Sequence, residues 1–584
     1  MENTAHNNHR KAFALFAVLI LAVLYKQSVW DPFFLPQQQR GTQATSGENA
    51  AQTPAAPATM QTAQMQAQPA QPTSSSDTAA NAEDQSANGM PTDAAIERGG
   101  FITLATDDLV LNISLLGGRI SEYLLVNYLE KQGDDQSMFN LVSHQEPEPL
   151  PLGVYTGGVD DSFVQYSIVG DNLGESLRIS GSEQAEIVLS GLLPDGRTIT
   201  KAIGISGKGY LVDVAVTLSA PAADGSRLQL EWTKLITKDE SSLLDPYNIT
   251  GFTWFDDQKA NRKPVAELKE DSMQLGEVRW ASVSNKYFTA SVISPNNKTP
   301  ARVLKTGEDY RIRLAGSSTE GMFRLYTGPK SLEVLEAAGY DLDRNINFGW
   351  TGFVAAPLLM LLHFFYGLIG NYGLAIVLLT ILVKVVLYPL NAASFKQMKA
   401  MQDLQPEVKR LRETVKDKQQ QQLELMALYK KRNVNPLGGC LPMLVQMPIF
   451  IGLYSALLLA VELRHAPFAL WVHDLSVKER LMMGDIGIPV MVILMVASML
   501  VQQWITPSSA DPAQKKMMMV MPIVFGFIFV NFPAGLTLYW LTNNLLSIAQ
   551  QQALYKGGAR FSLKVTVLTS AALFGFFSLL VAIS

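Results

Sequence analysis

Beyond Tyr340 the chain carries a succession of apolar runs: Leu374 to Tyr388, Leu441 to Val461, Ile486 to Ile505, Met517 to Phe532 and Leu536 to Tyr555. A run of that length in hydrocarbon has to pair every backbone N–H and C=O within itself, so each is read as a membrane helix. An earlier one, Ala12 to Tyr25, follows Arg10-Lys11 and has no small-x-small cleavage site after it. That pattern reads as an uncleaved signal anchor over residues 1–27 with its basic end in the cytoplasm. With the anchor there are six spans, several only marginally long for about 30 Å of hydrocarbon.

Loop charge orients the bundle. Residues 391–439 hold ten Lys and Arg against five Asp and Glu, whereas Glu462 to Asp485 hold three against four. Basic loops stay cytoplasmic. Within the basic loop Phe395, Met398, Met401, Leu404, Val408 and Leu411 recur at three or four residues, and Leu423, Met426 and Tyr429 do so after Asp417-Lys418. This predicts an antiparallel helical hairpin with a narrow apolar seam.

The 584 residues leave room for soluble parts, and the net charge of -5 hides the contrast between them. Residues 28–98 are rich in Gln, Pro and Ala, with no aromatic between Phe34 and Phe101. Such a composition buries too little surface to fold and reads as a disordered tether. From 99 to 345, alternating runs such as Leu109-Val-Leu-Asn-Ile-Ser-Leu and Tyr210-Leu-Val-Asp-Val-Ala-Val sit between Gly, Asp, Asn and Pro turns. They predict a large β-sandwich. The chain has a single cysteine, Cys440, so this domain is held by its core and not by an internal disulfide. Asp160-Asp161 and Asp256-Asp257 come without a His, Cys or phosphate loop and read as solvated turn residues. Trp232, Trp254, Phe255 and Trp280 either line a groove for peptide or sugar or pack in the core, the core being the leading expectation.

Residues 346–371 form an aromatic-rich stretch whose apolar run, Ala355 to Phe365, looks too short to cross and is expected to lie along the outer surface. Gly370-Asn-Tyr-Gly373 then breaks it. The C-terminal part, 556–584, has Lys556, Arg560 and Lys564 followed by twenty uncharged residues, Val565 to Ser584. These either span, giving seven spans and an external C-terminus, or lie on the bundle; a span is the leading expectation.

Lys384 is the lone formal charge between Tyr372 and Pro389, and a charge kept at depth calls for a functional reason. Thr380 shares its helix face at i, i+4, and Gln446, Gln502, Gln503, Asn543 and Asn544 add polar groups in other spans. They either line a wet cavity open to the cytoplasm, or Lys384 snorkels to headgroups while the amides bond between helices.

The run Asn435-Pro-Leu-Gly-Gly-Cys-Leu-Pro-Met-Leu-Val-Gln-Met-Pro-Ile-Phe450, with Ala466 to Leu475 and Phe532-Pro-Ala-Gly-Leu-Thr-Leu-Tyr-Trp540, resembles the YidC membrane-protein insertases. The anchor, tether and large outer domain are similar to the Gram-negative branch. The resemblance implies a polytopic α-helical membrane protein: a five-helix insertase core over 372–555, an N-terminal anchor and a large periplasmic β-sandwich, in the bacterial inner membrane. It implies a groove open to cytoplasm and lipid, with Lys384 at the family's intramembrane basic position. Thr380 lines that groove, while Gln446, Met447, Phe450, Tyr539 and Trp540 contact the passing segment. The family usually has Arg at this position; Lys keeps the charge and lacks the guanidinium fork.

By the same resemblance the hairpin over 391–439, with Lys396, Lys399, Lys409, Arg410, Arg412, Lys430, Lys431 and Arg432, meets the ribosome, the targeting receptor or the Sec translocon and its accessory subunits. Its charge also suits anionic lipid headgroups. Nascent membrane proteins are the expected clients, and no catalytic residue, cofactor, metal or DNA partner is called for. Two other classes of function call for further features. A secondary transporter calls for repeated halves and midplane carboxylates, absent from the spans. A tethered glycan-binding protein calls for an acid/base cleft in the sandwich.

Overall fold

The computed structural model describes residues 99–584 apart from 133–136, 143–149, 171–175, 234–249, 269–270, 307–308, 433, 435–440 and 507–511. The expected anchor (1–27) and tether (28–98) lie outside the described residues, as do Cys440 and the start of its motif.

Alternation in the sequence becomes sheet. Thr198–Ser206 and Leu211–Leu218 bury every second residue and pair antiparallel inside a nine-stranded sheet running from Ala260–Pro264 to Ser167–Ile168. A six-stranded sheet, containing Gln229–Thr233, and a five-stranded sheet, containing Arg119–Leu129, complete the sandwich. Its interior is aromatic: Tyr123 meets Trp232 edge-on at 6.3 Å, and Phe139 stacks on Phe288 at 4.4 Å. Trp232, Trp280 and Phe255 are core, as expected.

One carboxylate departs from the solvated reading. Asp161 is fully buried, with Lys201 Nζ at 2.5 Å and Arg119 Nη2 at 3.2 Å, and it accepts the Tyr166 hydroxyl at 3.0 Å. Lys201 also donates to the carbonyls of Gly117, Gly118 and Leu152. A buried charge is tolerated only when paired and hydrogen-bonded in this way. This cluster ties two sheets together and is structural. Asp256 closes a turn by accepting from the Gln258 and Lys259 amides, and Asp257 pairs with Arg279 at 3.1 Å.

After a short helix α1 (Leu332–Ala338) the chain enters the helical part. α2 (Gly352–Ile369) is longer than the apolar run that announced it. It continues through Tyr366-Gly367 and stops only at Gly370, whose φ of +73° makes a left-handed cap. With its leading turn, Gly349–Ile369 has the length and composition to cross a bilayer, so the expectation that the stretch is too short is corrected.

α3 (Tyr372–Val386) starts at Asn371, whose side chain accepts the Leu374 amide. It breaks at Leu387, and α4 (Tyr388–Asp403), with Pro389 in its first turn, leaves at a 62° bend. α4, α5 (Gln405–Thr414) and α6 (Lys418–Lys431) form the expected hairpin. Its seam is Leu404, Val408, Tyr429 and Val434, with Leu425 and Leu428 against it. Of the second-arm residues expected in the seam, Tyr429 is buried there, whereas Leu423 and Met426 are exposed and Leu425 and Leu428 take their place.

The remaining helices are α7 (Leu441–Leu459), α8 (Val490–Ile505), α9 (Pro512–Phe529) and α10 (Ala534–Ile583). The span expected from Ile486 starts at Val490, because Ile486–Ile488 pairs with Leu481–Met483 as a β-hairpin. α10 doubles back on itself. Ser562 Oγ donates to the Gln550 carbonyl at 3.1 Å, although twelve residues of straight helix would separate them by about 18 Å. The returning leg, Ser562–Ile583, is long and apolar enough to span. Phe577 meets Phe468 at 5.7 Å, and Ser584 Oγ accepts the Leu470 amide at 2.8 Å. Both legs therefore end at the 466–477 loop, where Gly535 N also donates to Leu475 O.

The β domain is not a loose appendage. Arg464 donates to the Leu129 and Glu130 carbonyls and lies 4.8 Å over the Phe139 ring, while Gln132 donates to His473 O. These contacts join the edge of the five-stranded sheet to the same 462–477 loop.

Candidate functional site

The Ala466–Leu475 motif positions the start of α3. Asn371 Nδ2 donates to Phe468 O at 3.1 Å, and a Cβ on Gly373 would lie 2.0 Å from the Phe468 ring. Only glycine allows that approach. α3 is thereby fixed against the loop at one end, and its other end carries Thr380 and Lys384 among the neighbouring helices.

Lys384 is 5% exposed and turned inward. Its Nζ donates to Ser547 Oγ on α10 at 2.6 Å, and Ser547 Oγ donates to the Asn543 carbonyl at 2.7 Å. Gln446 Nε2 on α7 donates to Asn543 Oδ1 at 3.2 Å. The snorkelling alternative is thus set aside: the ammonium points into the bundle, to a hydroxyl, instead of along its helix to the headgroups. Among the described residues no carboxylate pairs with it, and its hydrogen-bond partner, the Ser547 hydroxyl, is neutral. A cation so placed is held by a weak acceptor and is available to a stronger one.

Thr380 is buried, its hydroxyl donating to Ile376 O one turn back at 2.7 Å, so it offers little to a ligand as it stands. Phe450 meets Trp540 edge-on at 4.6 Å and lies 6.4 Å from Tyr539, which is buried. Trp540 also meets Phe529 at 5.2 Å and Phe525 at 6.3 Å. The structure therefore brings Lys384, Gln446, Phe450, Tyr539 and Trp540 together around α10. Met447, 46% exposed, faces outward and is not part of this cluster.

Several polar groups escaped the sequence reading. Ser547 is one; Ser498 is another, accepting from Asn544 Nδ2 at 3.2 Å, and Thr506 accepts from Gln551 Nε2 at 3.0 Å. The signal is in the spacing: Ser547 follows Asn543 by four residues and is itself followed by Gln550 and Gln551 at three and four, along one face of a span. Ser547 alone carries no signal, because hydroxyls are common in helices and bond to their own backbone.

On the hairpin, Lys396, Lys399, Lys409, Arg410, Arg412, Lys430, Lys431 and Arg432 are all exposed. Arg432 is engaged across the two arms, its guanidinium 2.5 Å from Glu407.

The 60Kd inner membrane protein family matches residues 364–560, and the YidC periplasmic domain family matches 101–361. The membrane protein insertase YidC of Geobacter sulfurreducens is 37% identical over 455 residues, covering 76% of this chain and 83% of its own. That of Oleidesulfovibrio alaskensis is 37% identical over 454 residues, covering 74% and 82%. The crystal structure of an active YidC insertase with its first transmembrane domain resolved aligns over 77% of this chain and 91% of its own, with 20% identity and a TM-score of 0.34. Fold and matches define a polytopic inner-membrane protein with a β-sandwich domain. The chain belongs to the YidC family of membrane protein insertases.

Proposed function

We propose that the cluster around Lys384 is the groove through which this insertase and chaperone passes client transmembrane segments from cytoplasm to bilayer. The observation that carries the reading is the inward-facing ammonium that donates to a serine hydroxyl. An acidic or polar group of a nascent chain exchanges for Ser547 at modest cost, because a carboxylate makes the stronger hydrogen bond. The contact is transient, since the client's apolar segment is more stable in lipid. Gln446 extends the polar wall, Thr380 lies behind it with its hydroxyl on the Ile376 carbonyl, and Phe450, Tyr539 and Trp540 offer a broad apolar face. Met447, pointing outward, serves at the lipid side of α7. No reaction is catalysed.

In this reading the protein sits in the bacterial inner membrane with a cytoplasmic N-terminus, the β domain and the 466–477 loop in the periplasm, and the hairpin in the cytoplasm. The exposed basic residues of α4, α5 and α6 suit ribosomal RNA, the targeting receptor, the Sec translocon or anionic lipids. α2 either lies on the periplasmic surface or crosses obliquely, its length permitting both.

The test is photocrosslinking from position 384 to a ribosome-stalled client, with outward-facing Val385 as control. Adducts to the client's transmembrane segment at 384 and not at 385 are expected. Equal yields at both positions would mean that Lys384 is no groove residue.

A further inference from the structure

The β-hairpin before α8 is unusual for its surroundings. Leu481–Met483 and Ile486–Ile488 pair through a two-residue turn, Gly484-Asp485, with Gly484 at φ +64°. Met482, Met483 and Ile486 are 62, 63 and 69% exposed. Because neighbours on a strand point to opposite faces, apolar groups leave the hairpin on both sides. A two-stranded hairpin that shows so much apolar surface to water is marginal at best.

Its base, by contrast, is fixed. Glu479 is buried, accepts from the Trp471 indole at 2.5 Å, and caps α8 by accepting from the Val490 and Met491 amides at 3.1 and 3.2 Å. Arg480 donates to Val530 O at 2.9 Å, at the end of α9. The hairpin is thus anchored at the ends of two helices, and its strand Ile486–Ile488 runs straight into α8.

α8 itself is short. Its 16 residues make about 24 Å of helix, against about 30 Å of hydrocarbon. Three-residue strands add up to about 10 Å. Apolar side chains are exposed on the adjoining helices as well: Ile493 and Leu494 on α8, which follows the hairpin, and Phe527 and Ile528 near the end of α9, to which Arg480 ties it. Lys478, exposed just before it, supplies a cation at headgroup level.

We propose that this hairpin is a lipid-facing wedge that completes the span of α8, with Met482, Met483 and Ile486 among the acyl chains and headgroups of the periplasmic leaflet and Lys478 against lipid phosphate. This rests on the reading of α8 as a membrane span. The occupant of the exposed apolar surface is lipid and not a protein partner, because the surface adjoins exposed apolar residues of α8 and α9, and the charged tip residue Asp485 then lies at headgroup level. The wedge lets α8 stay short beside the groove helix α10, to which Ser498 and Asn544 bind it.

The single cysteine makes the test direct. In the full chain with Cys440→Ser, Met483→Cys is spin-labelled in vesicles of phosphatidylethanolamine and phosphatidylglycerol, and its collision rates with oxygen and with a water-soluble nickel chelate are compared. Leu494→Cys and Lys478→Cys are the lipid and headgroup references. The label at 483 is expected to collide more with oxygen than with nickel, as at 494. Nickel-dominated collisions at 483, with oxygen-dominated ones at 494, overturn the wedge and leave α8 a span. Nickel-dominated collisions at both overturn the span reading as well. A label at 483 shielded from both reagents assigns the surface to a protein contact and overturns the proposal.

Discussion

Replacing Ser547 by alanine removes the acceptor of the Lys384 ammonium and nothing of comparable size. The bond is 2.6 Å long and both residues are buried. A hydrogen bond to a charged group contributes about 1.5–3 kcal/mol, and a buried donor left without its partner loses the larger part of that. Ser547→Ala is therefore expected to destabilise the folded protein by about 2 kcal/mol. In a Lys384→Met background the same change removes only the bond to the Asn543 carbonyl one turn back, which helices do not require, so about 0.5 kcal/mol is expected there. The coupling energy is the difference, about 1.5 kcal/mol. The assay is a double-mutant cycle on the full chain in mixed micelles, with the folded fraction followed against the mole fraction of denaturing detergent. Residues that do not interact add to within about 0.5 kcal/mol, so an additive cycle would refute the pairing and with it the inward ammonium. In insertion assays the two variants should diverge. Ser547→Ala leaves the cation in place and keeps activity toward clients with acidic flanks, whereas Lys384→Met reduces it severalfold.

Three further outcomes follow from the geometry. Ending the chain after Arg560 removes the returning leg of α10 with its Ser562–Gln550 and Phe577–Phe468 contacts; it should lower the melting temperature while leaving crosslinks from position 384 intact, and a tag added after Ser584 should be cleaved by protease from the periplasmic face. Arg464→Ala deletes both carbonyl contacts and the cover over Phe139, so hydrogen exchange in Arg119–Leu129 should accelerate by at least tenfold, and unchanged exchange would mean that the β domain is not held at this point. Burial, helped by Arg262, pulls the Lys330 ammonium from near 10.5 down to about 8. Between those values the unfolded chain holds the proton and the folded one does not, so stability of the β domain rises with pH, by up to about 3 kcal/mol for a shift of this size. Denaturation of the domain followed by tryptophan fluorescence should show that rise in the wild type and a smaller one in Lys330→Met; parallel curves would exclude Lys330 as its source.

Elements whose cause is local are legible in the order of the residues. Apolar runs of membrane length, two-residue alternation between 101 and 329, and the basic hairpin with its turn at Asp417-Lys418 all follow from periodicity and charge along neighbouring residues. Lys384 was legible for the same reason, since a charge inside an apolar run is a local anomaly. Tertiary structure decided what those residues meet. The partner of Lys384 lies 163 residues away, and no spacing rule separates Ser547 from any other helical serine. The seam of the hairpin turned on Leu425 and Leu428 instead of Leu423 and Met426, because two apolar stripes about 100° apart are equally good until a partner helix selects one. Ile486–Ile488 left the helix predicted for it because a facing strand was within reach. The buried Asp161, the docking of Arg464 and the return of α10 share this origin: each depends on contacts between distant segments, and only the assembled chain brings those segments together.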